Sequence, residues 1–111
     1  MTYKEIKTMV ASFGLSYAYH HFPDTNQAPP YVVFYYSGSD DFLADDKNYQ
    51  EIVELVIELY TEEKDFTSEA TIKSKLTESG LVYTWDEGYM DSERLHRTTY
   101  YMEVLITNEQ S

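Results

Sequence analysis

The segment from Tyr49 to Tyr60 alternates side chains with a period of two, and this pattern constrains the fold more than any other feature of the sequence. Its charges would suit a helix, but the period is that of a strand. The aliphatic positions that would share one face are Val53, Leu55, Ile57 and Leu59. The opposite face would carry Glu54, Val56, Glu58 and Tyr60. The segment therefore predicts a long strand with one face in the core of a sheet.

Two helices are predicted, one before and one after this strand. The first runs from Tyr3 to Phe13, because Ile6, Met9, Val10 and Phe13 recur at helical spacing. Gly14 followed by Leu15 is the usual left-handed helix stop. The second helix is capped by Asp65 or Thr67, has Glu69 in its first turn, and runs to about Ser79, where Gly80 and Leu81 repeat the stop. Its predicted inner face carries Ile72 and Leu76.

The remaining apolar runs predict strands bounded by proline, glycine and acidic turns. A loop with two adjacent prolines, 23–30, separates the first two of them. We expect a turn at Asp86-Glu87-Gly88. The predicted strands are Ser16 to Phe22, Tyr31 to Tyr36, 81–86 and His96 to Ile106. The order αβββαββ predicts a single α+β domain, 1–111, with a mostly antiparallel sheet, two helices on one face and a frayed tail from residue 107.

Charge and composition limit the possible partners. Twenty acidic against eight basic side chains give a formal charge of -12, which repels nucleic acid and anionic lipid. A charged partner should therefore be basic. The chain contains no cysteine, which fits a reducing compartment, and no segment has the pattern of a signal peptide or membrane span. We expect a soluble protein that binds neither specific nucleic acid nor membrane.

No constellation of residues predicts a catalytic, cofactor or metal site. His20 and His21 would point to opposite sides of a strand, and His96 lies far away in sequence. The aspartates between residues 40 and 46 lack the spacing and glycine of a calcium loop. Phosphate-binding glycine loops and a nucleophile elbow are missing from the sequence. We therefore predict that the chain is not an enzyme and needs no cofactor.

The polar insert 37–48 is the candidate interaction segment. It could form a short edge strand or a protruding loop. Its apolar pair could form a contact surface or fold back on the core. The candidate residues are Asp40, Asp41, Phe42, Leu43, Asp45 and Asp46.

Over most of its length the chain resembles a family of small minor tail proteins from prophages and long-tailed phages, of the tail-completion or tail-terminator type. The resemblance is carried by an amphipathic first helix ending near Gly14, a tyrosine-rich final strand and several short segments. These segments are Ala18-Tyr19-His20-His21-Phe22, Pro29-Pro30-Tyr31, Gly38-Ser39-Asp40-Asp41-Phe42 with Ala44-Asp45, and Ile57-Glu58-Leu59-Tyr60-Thr61.

The resemblance implies a structural role in virion assembly. Such a protein would complete or terminate the tail and act in head-tail joining, with the tail tube, the head-tail connector and a possible homo-oligomeric ring as partners. It would be found in the host cytoplasm during assembly and in the virion tail if the prophage is productive. A different hypothesis from the charge alone is a monomeric acidic inhibitor of a basic, nucleic-acid-binding surface.

Overall fold

The chain folds into a six-stranded sheet with two helices. A computed structural model describes residues 1–23, 27–39, 42–43 and 49–107. The elements in chain order are α1 (Tyr3–Ala11), β1 (Ser16–Tyr19), β2 (Tyr31–Ser39), β3 (Phe42–Leu43), β4 (Tyr49–Thr61), α2 (Phe66–Glu78), β5 (Tyr83–Met90) and β6 (Leu95–Ile106).

The sheet is mixed, with most of its neighbours antiparallel. The strand order is β1-β2-β4-β6-β5, and the two-residue β3 also pairs with β4. Only the β1 and β2 pair is parallel among the described strands. The predicted α+β class and the order αβββαββ are confirmed, and β3 is an additional short strand inside the insert.

Strand β4 lies at the centre of the sheet and behaves as its alternation predicts. Val53, Leu55, Ile57 and Leu59 are all buried in one apolar cluster. Ile57 pairs with Phe34 of β2 on one side and with Tyr100 of β6 on the other, so three strands contribute to the same layer. The core therefore forms on one face of the sheet.

Both helices pack on that face, as the sequence predicts. Ile6, Met9 and Val10 of α1 and Ile72 and Leu76 of α2 belong to the same buried cluster. Their ends are defined by local chemistry. A capping box joins Thr2 and Glu5 at the start of α1, and the Asp65 carboxylate accepts a hydrogen bond from the Ser68 amide at 2.9 Å. Gly14 and Gly80 take the positive φ of the predicted helix stops, +79° and +76°.

Several predicted element ends are wrong by a few residues. Strand β2 ends at Ser39 rather than Tyr36, and β5 begins at Tyr83 rather than at residue 81. Helix α1 ends at Ala11 rather than Phe13, with Ser12 as its C-cap, although Phe13 is still buried in the core. Strand β1 ends at Tyr19 rather than Phe22, because His20 adopts a φ of +69° that turns the chain out of the sheet.

The predicted turn at Asp86-Glu87-Gly88 is also wrong. These residues continue β5 and pair in register with Thr99, Thr98 and Arg97 of β6. The chain reverses later, between Met90 and Leu95, where Arg94 has a φ of +56°. Gly88 faces Arg97 across the pair, and a Cβ at Gly88 would lie 3.8 Å from the Arg97 guanidinium. A Cβ at this distance would be in ordinary van der Waals contact, so neither a turn nor a lack of space requires glycine at this position.

The N-terminal residue is joined to the end of β6. The Met1 amino group donates to the Leu105 carbonyl and the Thr107 amide donates to the Met1 carbonyl, both at 2.9 Å. The sequence predicts a tail that frays from residue 107, but Thr107 is held by its hydrogen bond to Met1, and residues 108–111 lie outside the described residues. Neither helix in the described ranges is long and apolar enough to cross a membrane.

Candidate interaction surfaces

The insert predicted to mediate contacts is only partly covered by the structure. Asp40, Asp41, Asp45 and Asp46 lie outside the described residues. The backbone of Phe42 and Leu43 forms β3 and pairs with Gln50 and Tyr49. The short edge strand is therefore the alternative that the structure adopts at these two positions, and a contact role for the insert stays a prediction.

No described helix covers the side of the sheet opposite α1 and α2, which we call the open face. Its side chains come from alternate positions of four neighbouring strands. They are Tyr31, Val33 and Tyr35 of β2; Glu54, Val56, Glu58 and Tyr60 of β4; Arg97, Thr99, Tyr101, Glu103 and Leu105 of β6; and Asp86 of β5.

Long polar side chains shield the middle of the open face from water. Val56 is only 2% exposed although both helices lie on the other face. Tyr35 and Tyr60 donate hydrogen bonds from their hydroxyls to the Glu58 carboxylate at 3.2 and 2.7 Å. Tyr31 stacks on Tyr60 with ring centroids 5.0 Å apart. Burial, followed by the hydrogen bond to Glu58, raises the pKa of the Tyr60 hydroxyl above its ordinary value.

Arg97 is the one basic side chain on the open face among the described residues. It pairs with Tyr60 of β4 and with Gly88 of β5. Its Nε is buried and has no hydrogen-bond partner in the described part of the chain. Arginine and tyrosine are, with tryptophan, the residue types enriched at the energetic centres of protein interfaces.

The other charged side chains of the open face are acidic. Glu54 and Glu103 lie directly opposite each other on β4 and β6. The Ser37 hydroxyl donates to Glu54, and the Tyr101 hydroxyl donates to Asp86 at 3.1 Å. Like charges directly across a strand pair destabilise a sheet. Binding of a basic group would relieve this repulsion.

A second surface lies on the helix side of the sheet, where α2 meets the edge strand β5. Phe66 is 74% exposed and Trp85 is 44% exposed. The Lys64 ammonium lies 5.1 Å from the Phe66 ring centroid and 5.5 Å from that of Trp85, and the Lys73 ammonium lies 4.7 Å above the Trp85 ring. We call these four residues the α2–β5 patch. It combines exposed aromatic rings with cations held over them.

A polar network anchors this patch to the sheet. Lys64 forms ion pairs with Glu69 at 2.9 Å and Glu87 at 2.8 Å. Glu69 is 3% exposed and also accepts a hydrogen bond from the buried Thr98 hydroxyl at 3.3 Å. The sequence predicts Glu69 as a first-turn helix residue, and the structure adds a buried structural role that its position in the helix does not indicate.

The histidines are not gathered into a site. The rings of His20 and His21 are 5.8 Å apart, while His96 lies beside Glu87, with Nε2 and Oε1 separated by 2.9 Å. Among the described residues no group of three or more histidine, aspartate or glutamate side chains is placed to hold a metal ion.

Sequence comparisons give no family, whereas a structural comparison finds the same fold. The chain matches no protein-family model and no curated protein. A chain in a solved structure described as the virion of a native gene transfer agent particle superimposes with a TM-score of 0.61 at 14% sequence identity. The alignment covers 96% of this chain and 91% of that one. The two chains share a fold over nearly their whole lengths.

Proposed function

We propose that this chain is a structural protein of a phage or phage-like particle, a minor tail or tail-completion component that acts in head-tail joining or tail termination. It works by binding other virion proteins, such as those of the tail tube and the head-tail connector, and carries out no chemical turnover. Its place of action is the host cytoplasm during assembly and then the virion tail.

The fold shared with a gene transfer agent virion chain is the observation that supports this proposal most strongly. That chain comes from a phage-like particle, and its alignment with this one leaves few residues of either unmatched. Fold alone does not assign function, so the surfaces must also fit. The open face supplies half-buried tyrosine and arginine side chains and the α2–β5 patch an exposed tryptophan, which suits contacts with protein.

Deletion of the gene from the phage or prophage that encodes it tests the proposal. We expect particles lacking the chain to accumulate as separate heads and tails, or as tails of irregular length, when counted by negative-stain electron microscopy. Expression of the wild-type chain in trans should restore joined particles. Mass spectrometry of purified restored particles should detect the chain as a low-copy component.

Normal, joined and infectious particles in the deletion strain would contradict the proposal. A chain that is absent from purified particles and binds a basic, nucleic-acid-binding protein in the infected cell would instead support the acidic inhibitor hypothesis. The empty expression vector provides the control for the wild-type rescue.

A further inference from the structure

We infer that a cleft at one end of the open face binds an arginine side chain from an extended, basic segment of a partner protein. The cleft lies between the chain that follows β1, the first half of β2, the end of β4 and the β5–β6 turn, and its volume is about 310 Å³. We call it the tyrosine cleft, and its lining includes Phe22, Tyr31, Glu58, Tyr60 and Glu93. The inference goes beyond the proposed function, because it does not depend on a role in a virion.

Three aromatic rings line the tyrosine cleft in succession. The positive φ of His20 turns the chain out of the sheet after β1, and Phe22 then packs edge-on against Tyr31 with ring centroids 5.3 Å apart. Tyr31 in turn stacks on Tyr60 with ring centroids 5.0 Å apart. The faces of such rings attract cations, and a planar guanidinium can also stack flat on them. The cleft therefore offers a platform for a planar cation.

Glu58 is the side chain that indicates the charge of the ligand. Its carboxylate is half-buried and accepts hydrogen bonds from the Tyr60 and Tyr35 hydroxyls at 2.7 and 3.2 Å. Among the described residues it forms no ion pair, either with Arg97 on the neighbouring strand or with another cation. A carboxylate withdrawn from water is normally paired with a cation, and its remaining lone pairs can accept further hydrogen bonds. A guanidinium entering the cleft would supply both.

A second cavity continues the tyrosine cleft past the end of the sheet. Its volume is about 590 Å³, and it shares Glu93 with the cleft. Glu62 and Glu63 also line it, and Arg94 is the one lysine or arginine among its described lining residues. None of these three glutamates forms an ion pair in the described part of the chain. With Glu58, the two cavities carry four carboxylates against one arginine, which suits a segment with several basic residues.

A third cavity extends the groove to a buried hydroxyl. It has a volume of about 540 Å³, shares Glu62 and Glu63 with the second cavity, and is lined by Thr61. Thr61 is 3% exposed, and its hydroxyl has no hydrogen-bond partner within the described ranges. Buried polar groups normally have a partner, and an extended segment lying along the three cavities would bring its backbone donors beside this one. The length of the groove therefore favours a peptide segment over a single small cation.

Fluorescence anisotropy of a dye-labelled peptide of four Gly-Arg repeats, titrated with the purified full chain, measures the binding. We expect a saturable complex. A matched peptide of four Gly-Lys repeats should bind at least about threefold more weakly, because an ammonium neither stacks flat on a ring nor binds a carboxylate through two fixed donors. A peptide of four Gly-Glu repeats should not bind.

Charge-neutralising variants separate the cleft from the general acidity of the chain. Glu58→Gln keeps the size of the side chain and removes its charge, and it should raise the dissociation constant of the arginine peptide at least about tenfold. Glu54→Gln makes the same change on the same strand and the same face but outside the cleft, and it should bind as the wild type does.

A second pair of variants avoids any effect on folding, because both residues are exposed in the β5–β6 turn. Glu93→Gln, at the rim of the cleft, should raise the dissociation constant of the arginine peptide about threefold, since an exposed ion pair contributes less than a half-buried one. Asp91→Asn lies outside the lining of both cavities and should have no effect.

Three results would overturn the inference. The first is an arginine peptide that does not bind at chain concentrations up to about 1 mM, where even weak association is visible. The second is an equal loss of affinity in Glu58→Gln and Glu54→Gln, both folded by circular dichroism, which would indicate attraction by net charge alone. The third is spermidine that binds as tightly as the arginine peptide, which would assign the cleft to a small cation. If the wild-type chain restores joined particles in the deletion strain, each of these results leaves the proposed function standing.

Discussion

The two faces of the sheet exclude water by different means. On the helix side, aliphatic side chains of β4 are buried beneath α1 and α2. On the open face, Val56 and Val33 are buried beneath tyrosine and glutamate side chains from the sheet itself. Tyrosine covers apolar surface with its ring and keeps its hydroxyl at the surface. The comparison indicates that the helix side holds the fold together, whereas the open face excludes water with its own side chains and keeps polar groups at its surface.

Adjacent residues of β4 test this contrast most directly, because Ile57 faces the helices and Val56 faces the open side. We expect Ile57→Ala to lower the free energy of unfolding by about 2–5 kcal/mol, since a buried cavity would remain. Val56→Ala should cost roughly 1.5 kcal/mol, from the lost methyl groups alone, because the tyrosines above it can settle inward. Urea unfolding followed by circular dichroism measures both, and equal losses would contradict the contrast.

Glu69 tests whether a buried charge on the helix side is structural. Glu69→Ala should lower the free energy of unfolding by roughly 1–3 kcal/mol, because the buried Thr98 hydroxyl and the Lys64 ammonium lose a partner. Glu87→Ala removes the exposed partner of the same lysine and should cost less. Thermal unfolding of the two variants side by side gives the comparison, and wild-type stability of Glu69→Ala would contradict a structural role for the buried carboxylate.

The N-cap of α2 makes the free energy of unfolding depend on pH. Hydrogen bonds from Ser68 hold the pKa of Asp65 below its ordinary value. The ionised carboxylate therefore contributes stability above its unfolded pKa of about 3.9, and this contribution is lost as the pH falls through the lowered folded pKa. Asp65→Ala should cost about 1 kcal/mol at neutral pH.

Asp65→Asn separates the cap from its charge. Asparagine caps helices as well as aspartate does, so this variant should be nearly as stable as the wild type at pH 7. Its stability should change less between pH 5 and about 2 than that of the wild type, since the group no longer titrates. If the stabilities of the two proteins fall equally as the pH is lowered, the charge of Asp65 has no role.

The smallest expected effect is a gain of stability, and it comes from a substitution on the open face. Glu103→Lys should raise the free energy of unfolding of the monomer by roughly 0.5 kcal/mol, because a favourable cross-strand pair replaces the repulsion with Glu54. The gain should fall at high salt, where exposed charges are screened. Unfolding at low protein concentration and two salt concentrations measures it, and a loss of stability at low salt would contradict this account of the open face.

Much of the fold is readable from local patterns in the sequence. The alternation around Ile57 indicates β4, and Gly14 and Gly80 indicate where the chain turns after each helix. The wrong turn at Asp86-Glu87-Gly88 shows the limit of such patterns. A turn-forming triplet remains extended because β6 pairs with it, and no local pattern reveals that pairing.

The candidate surfaces were harder to predict than the fold. The open face has a sequence signal, since Glu54, Val56, Glu58 and Tyr60 alternate with the core residues of β4. Its neighbours on β2 and β6 become visible only when the strand order is known, because the residues that meet are distant in sequence. The α2–β5 patch likewise joins Phe66 and Trp85 across separate elements. The composition indicates an acidic protein, but it does not indicate which side of the sheet carries the acidic side chains.

The central position of β4 has a consequence for how the chain acquires its fold. During synthesis β2 is available to pair with β4 early, whereas β6, its other neighbour, is made last, and β5 is attached to the sheet only through β6. Until β6 is complete, an edge of the apolar strand β4 is unpaired and open to association with other chains. Contacts between segments so far apart in sequence also slow folding. The sheet therefore closes late, and a chain shortened within β6 should aggregate rather than fold.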